Sequence, residues 1–139
     1  MDYRKFDDTI VVRLDKGEEI CGQILAVAQK EQIGAAIVSG IGAVSDFVVG
    51  LFDPEKKQFG ENHFTGYYEV TALGGNLSTK DGEPYLHLHM SCADAQGRVV
   101  GGHLAQATIS LTGEIFIQVL HGSVGRAFDA EVGLNTFDF

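Results

Sequence analysis

Tryptophan is absent from this sequence, cysteine and proline occur only twice each, and basic side chains are outnumbered by acidic ones, 10 against 19. Each shortage excludes something. The resulting net charge of −9 opposes direct binding to nucleic acid, which needs a basic footprint on the phosphate backbone. It also disfavours an anionic membrane surface. Two cysteines make no disulfide framework. Cys92 lies on the apolar side of an alternating segment and Cys21 among apolar helix positions, so both read as buried thiols in a reducing compartment. Long hydrophobic runs are missing as well. The longest nearly apolar stretch, Ile33 to Val44, is too short and too glycine-rich to cross a bilayer. The opening Met1 to Asp8 has no apolar core of the kind a signal peptide needs. The expectation is a cytoplasmic protein with no membrane partner.

Glycine, by contrast, is abundant. The chain carries 18 glycines, against about 10 at the usual frequency of ~7%, and with so little proline the excess predicts turns and bulges of a β-rich fold. Its 139 residues, 45% of them hydrophobic, suffice for one real core, so residues 1–139 are expected to form a single domain. Thr9 to Leu14 reads as a first strand. Glu18 and Glu19 open a helix whose amino end favours negative charge, and Ile20, Ile24 and Val27 or Ala28 carry helical spacing to about Gln32. Residues 34–38 and 47–52 read as two strands separated by the glycine-containing segment 39–45. Residues 64–73, 107–111 and 114–120 read as further strands, with polar turns at 53–57 and 80–84. Gly40-x-Gly42 matches part of a dinucleotide fingerprint, but Ser45 stands where the third glycine belongs and no helix follows. One early helix followed by many short strands predicts an α+β domain: a central antiparallel sheet with one or two flanking helices.

The chemistry gathers around three histidines. Tyr85-Leu86-His87-Leu88-His89-Met90-Ser91-Cys92 alternates strictly, so in a strand His87 and His89 project from one face. Their Cα atoms would then lie about 6.5–7 Å apart, a separation two imidazoles can close around one metal ion. Asp94-Ala95-Gln96-Gly97 is a turn cluster and Arg98-Val99-Val100 resumes an apolar run, which predicts a hairpin. An even register places His103 on the same face, opposite His87 or His89. An odd one turns it away, unless Gly101-Gly102 forms a bulge that re-aims it; the two glycines equally suit a close backbone approach. A lone strand histidine is ordinarily a half-buried polar residue, but two on one face with a third across a hairpin form a candidate metal site: His87, His89 and His103. Zinc is the default ion, because three imidazoles and an open position suit it. Other divalent transition metals share the ligand preference.

The run Gly40-Ile41-Gly42-Ala43-Val44, then Gly66-Tyr67-Tyr68-Glu69-Val70 with Leu73-Gly74-Gly75-Asn76, then His87-Leu88-His89, Gly97, Gly101-Gly102-His103-Leu104 and Glu114-Ile115 resembles the plants-and-prokaryotes-conserved (PPC) domain. Arg13-Leu14 and Gly17-Glu18 fit its opening, so the resemblance covers essentially the whole chain. It implies a PPC-like central antiparallel sheet with a flanking helix, assembled as a homotrimer. It further implies that prokaryotic members coordinate a metal through histidines matching His87, His89 and His103. Two departures matter. Plant relatives carry an arginine-glycine-arginine-proline element that enters the DNA minor groove, and this sequence has none. Where those relatives have an arginine within a partner-binding segment, this chain has Tyr67, while Gly66, Glu69 and an apolar Val70 remain. The DNA-binding role attached to some prokaryotic relatives conflicts with the sign of the charge here.

Two functional expectations follow. The first is a trimeric metal-binding protein whose open metal position takes a small-molecule ligand and supports hydrolysis or lyase chemistry. Glu69 and Glu114 are candidate proton-transfer or ligand-orienting carboxylates, each equally readable as a solvated strand-edge charge. His63 and His121 lie in loop-like contexts and read as surface residues. Tyr67 and Tyr68 are candidates for oligomer contacts. The second expectation is a non-catalytic binding or assembly module, acting through protein partners and DNA-associated or regulatory. A cupin fits poorly, because Ala93 and Asp94 stand where that pattern wants a glutamate.

Overall fold

In the computed structural model, which describes all 139 residues, eight strands and one helix follow the order β1 (Asp2–Phe6), β2 (Thr9–Asp15), α1 (Ile20–Lys30), β3 (Ala36–Asp53), β4 (Gln58–Lys80), β5 (Glu83–Ala93), β6 (Val99–Val119), β7 (Gly125–Asp129) and β8 (Leu134–Asp138). Alternation explains the strands. In β2, Ile10, Val12 and Leu14 are buried while Arg13 and Asp15 face water. In β5, Leu88, Met90 and Cys92 are buried, which leaves the intervening side chains on the opposite face.

β3 pairs with β4 and β6, and β5 also pairs with β4 and β6, so the four long strands form a closed circuit of antiparallel pairings. β3 is paired on both sides along most of its length, whereas residues 58–68 of β4 pair with β3 alone. β1 and β2 extend the sheet outward from β6, and the β7–β8 hairpin joins β4 through one parallel pairing at Thr79 and Gly125. A single cluster of 24 buried residues fills the interior. Phe47 lies within it, stacked on Phe64 at 5.1 Å and meeting the edge of Tyr68 at 5.1 Å, offset geometries that aromatic quadrupoles favour.

α1 contributes Ile20, Ile24, Val27 and Ala28 to this cluster, the spacing expected of an inward helical face. Glu19 caps it: its carboxylate accepts from the backbone N–H groups of Cys21 at 3.1 Å and Gly22 at 2.6 Å. The same carboxylate accepts from the Ala107 N–H at 3.1 Å, tying the helix start to β6. No helix is long and apolar enough to cross a membrane.

Several element boundaries differ from the sequence reading. The glycine segment 39–45 does not separate two strands; it lies inside β3, with pairing shifts between Gly40 and Gly42 and between Val44 and Asp46. Glycine there lets the strand bend through bulges and continue. Residues 64–73 belong to a longer β4, and 107–111 with 114–120 to one β6. The helix ends at Lys30, and it is the only one. β1 and the β7–β8 hairpin were not anticipated.

Candidate metal centre

Two turns set the register of the histidine strand. Between β4 and β5 the chain reverses at Asp81-Gly82, whose φ angles of 54° and 84° are both positive, as a two-residue primed turn requires. That turn places Asn76 opposite His87 and Gly74 opposite His89. Between β5 and β6, the Asp94 carboxylate accepts from the N–H groups of Gln96 at 2.9 Å and Arg98 at 3.0 Å, an Asx-type turn. Ala93 then faces Val99, and counting back along the hairpin brings His103 directly opposite His89. This is the even register.

The hairpin needs no bulge to achieve it, because the pairs from His89–His103 to Ala93–Val99 are continuous. Gly101 and Gly102 serve close approach instead. A Cβ at Gly101 would come within 2.5 Å of the Met90 carbonyl oxygen, and one at Gly102 within 2.5 Å of the Gly50 carbonyl oxygen. β6 is thereby pressed between β5 on one side and β3 on the other.

The three imidazoles converge above the sheet. Ring centroids lie 5.2 Å apart for His87 and His89, 5.1 Å for His87 and His103, and 5.6 Å for His89 and His103. One ring nitrogen from each falls within 4.8 Å of the other two. Nitrogens bound to one tetrahedral zinc at about 2.0–2.1 Å sit roughly 3.4 Å apart, a spacing inside the 4.8 Å spread of the three ring nitrogens. None of these imidazoles hydrogen-bonds to a protein group, whereas His63 pairs with Asp46 at 3.2 Å and His121 with Asp8 at 2.9 Å.

Electrostatics favour the ligating form. Burial pushes the His87 pKa down to about 4, assisted by His103, Arg126 and His89. Burial, then His89, lowers that of His103. Both rings are neutral at pH 7, with lone pairs available. Three neutral imidazoles are the donor chemistry of zinc and its first-row neighbours, so the residues present fit the metal that the sequence pattern suggested.

Two neighbours of the cluster escaped sequence reasoning. The Phe59 ring lies 4.9 Å from that of His103. Arg126, on β7, lies over the Tyr85 ring at 4.7 Å and the Phe137 ring at 4.4 Å. Its Nε donates to Ser78 Oγ at 2.8 Å, Nη1 to the Asn135 carbonyl at 2.8 Å, and Nη2 to Asn76 Oδ1 at 2.9 Å. A signal existed: Ala127-Phe128 and Leu134 to Phe137 flank the turn-rich segment 129–133, the mark of a hairpin.

Other candidates lie elsewhere. Glu69 pairs with Ala43 and Ala93 and is exposed, and Glu114 faces Arg13 and Ile41 on the far strands. Neither joins the histidine cluster, nor do His63 and His121. Cys21 and Cys92 are unpaired, and burial raises both thiols to about 12, which leaves them protonated and unreactive.

Known proteins resemble this chain in fold and sequence. A metal-containing protein from Archaeoglobus fulgidus superposes with a TM-score of 0.90 and 33% identity, covering 100% of this chain and 99% of its own. A Bacteroides thetaiotaomicron protein, named for a proposed DNA-binding role, superposes with a TM-score of 0.96 and 27% identity over 99% of this chain and 96% of its own. A Synechococcus protein named bifunctional protein GlmU is 31% identical over 102 residues, 73% of this chain; the chain spans only about 15% of that protein's length. The family model for the Plants and Prokaryotes Conserved (PCC) domain matches residues 1–121, as the histidine and glycine motifs led one to expect. This chain belongs to that family.

Proposed function

We propose that this protein is a homotrimeric metal-binding domain in which His87, His89 and His103 hold one zinc or another divalent transition metal ion and leave a position open to a small molecule. One observation carries the reading: three imidazoles, free of any protein hydrogen bond, present ring nitrogens within 4.8 Å of one another. The A. fulgidus relative, metal-containing and alike over the full length, supports it. When bound, such an ion supplies Lewis acidity and acidifies water, so hydrolysis and lyase reactions are the ones to screen. The chain's own part is to fix the ligand geometry through the β5–β6 register and to keep His87 and His103 unprotonated.

The trimer finds support in apolar side chains on the outer face of β3 and β6. Ile37, Ile41 and Phe116 are 50%, 56% and 47% exposed on neighbouring strands, an unusual grouping for a surface that meets only water. We take residues 1–139 as one domain working in the cytoplasm, where two free thiols are at home. A second reading, a non-catalytic assembly module acting through DNA-associated partners, draws on the naming of the B. thetaiotaomicron relative. The net charge of −9 makes such a role indirect.

Elemental analysis of tag-free protein beside its His89→Ala variant, with molar mass from light scattering, tests the proposal. Near one metal per chain, lost in the variant, on a three-chain particle supports it. Wild-type protein that stays metal-free after reconstitution overturns the centre and moves the search to protein partners.

A further inference from the structure

Arg126 carries a charge that nothing beside it neutralises. In a chain with 19 carboxylate side chains, this half-buried guanidinium is held only by neutral groups: a hydroxyl, a carboxamide oxygen, a backbone carbonyl and two aromatic faces. No carboxylate forms an ion pair with it, although five other lysine and arginine side chains and the terminal amine do have such partners, among them Arg13, Lys5 and Arg98. Guanidinium has five N–H donors. Three are engaged, which leaves one on each terminal nitrogen.

Its position is equally specific. Asn76, whose Oδ1 it holds, stands opposite His87 in the β4–β5 ladder. Tyr85, beneath its plane, is two residues before His87 on the same strand and so shares its face. With Oδ1 committed to Arg126, the Asn76 Nδ2 group has no protein acceptor. Next along β4, Gly74 faces His89, and a Cβ there would meet nothing within 4 Å. Open space, a free carboxamide donor and an uncompensated guanidinium therefore adjoin the three imidazoles on one face of the sheet.

We propose that Arg126 and Asn76 form an oxyanion subsite beside the histidine centre, so that the ligand of this site is a small molecule bearing a carboxylate or a phosphate. This rests on the metal reading above, since the other end of that molecule would occupy the open metal position. A guanidinium with paired N–H bonds recognises planar carboxylates and phosphates better than any other side chain. Its confinement between Tyr85 and Phe137 fixes the direction of approach. The β7–β8 hairpin that delivers Arg126 lies beyond the residues matched by the family model.

The test titrates succinate, phosphate and, as a neutral control, succinamide into cobalt(II)-reconstituted protein, following the visible spectrum and the heat, with metal content measured on the same samples. Arg126→Gln is the direct variant. Asn76→Asp is the second, because a carboxylate there retains the hairpin by pairing with Arg126 while repelling an added anion. The expected result is binding of succinate or phosphate but not succinamide, weakened about tenfold or more in each variant with metal content unchanged. Tighter succinate identifies a carboxylate ligand, tighter phosphate a phosphate one. Equal affinity in a metal-loaded variant, or no preference over succinamide, overturns the subsite and leaves the metal centre standing. Wild-type protein that takes up no cobalt overturns the centre and the subsite together.

Discussion

The five histidines divide into two groups that differ in what surrounds them. His63 and His121 are exposed, and each lies against one carboxylate, Asp46 and Asp8. His87, His89 and His103 lie against one another and hydrogen-bond to no protein group. Three imidazoles packed together gain no protein hydrogen bond from one another's company, and the half-buried His87 and His103 give up part of their hydration as well. The first group is complete as it stands, and under the proposed function a bound ion completes the second. That contrast identifies the site more securely than the number of histidines.

The largest effect expected from breaking it is on metal affinity. His103→Ala removes one ligand of three and should weaken binding by about 100-fold or more, since disturbing groups that merely orient ligands already costs about 10–100-fold. The double variant His63→Ala/His121→Ala should bind within about twofold of wild type. Competition with a chromophoric chelator measures both. Equal losses in the two variants would dissolve the distinction.

A smaller, backbone-mediated effect should come from Gly101. Valine there would press its Cβ toward the Met90 carbonyl, 2.5 Å from the ideal position, and toward Ser91. Forcing β5 and β6 apart should cost about 1–3 kcal/mol of stability in urea unfolding. It should also weaken metal binding, because His103 moves with its strand. Unchanged metal affinity in a destabilised Gly101→Val protein would mean that the cluster tolerates more freedom than the register argument allows.

Much of this was legible in the sequence because it follows from local alternation and turn chemistry. Strict two-residue periodicity fixed the common face of His87 and His89, and the Asp94-to-Gly97 cluster supplied the hairpin that returns His103 to them. The helical spacing of Ile20, Ile24 and Val27 likewise predicted its buried face. What escaped depends on contacts distant along the chain. Glycine at 40 and 42 reads locally as an interruption, yet pairing to β4 and β6 on both sides carries β3 through it. Arg126 lies 23 to 39 residues from the histidines along the chain, and only the docking of a terminal hairpin onto Ser78 and Asn76 gives it a place beside them. Glu69 and Glu114 stand outside the histidine cluster for the converse reason: a carboxylate near a motif in sequence can sit, in a long strand, at another level of the sheet.

A more modest difference between the groups should appear on acidification of metal-free protein. The folded-state pKa of His87 is about 4, against about 6.5 in an unfolded chain, and that of His103 is also lowered. Between pH 6.5 and 4 the unfolded chain therefore binds more protons than the folded one, so stability falls as the pH falls through that window. Paired carboxylates such as Asp15 and Glu31, whose pKa values are lowered, add to the loss at the acid end. His87→Gln isolates the imidazole contribution: its urea midpoint should decline less between pH 7 and 4.5 than that of wild type. Parallel declines would show that His87 is as free to protonate when folded as when unfolded.

The smallest effect belongs to the paired group. Asp46→Asn and Asp8→Asn each remove one partner from an exposed pair, with side chains 57% and 44% accessible in one and 83% and 58% in the other. Solvent screening limits such pairs to under about 1 kcal/mol, and half-molar salt should erase most of what remains. Metal affinity should not change in either variant, because neither carboxylate belongs to the histidine cluster. A shift in metal affinity without a shift in stability would mean that the surface histidines communicate with the cluster, and the division into two groups would then be a matter of geometry alone. Silence in both readouts leaves the ligand-seeking behaviour confined to the three imidazoles that have no protein partner.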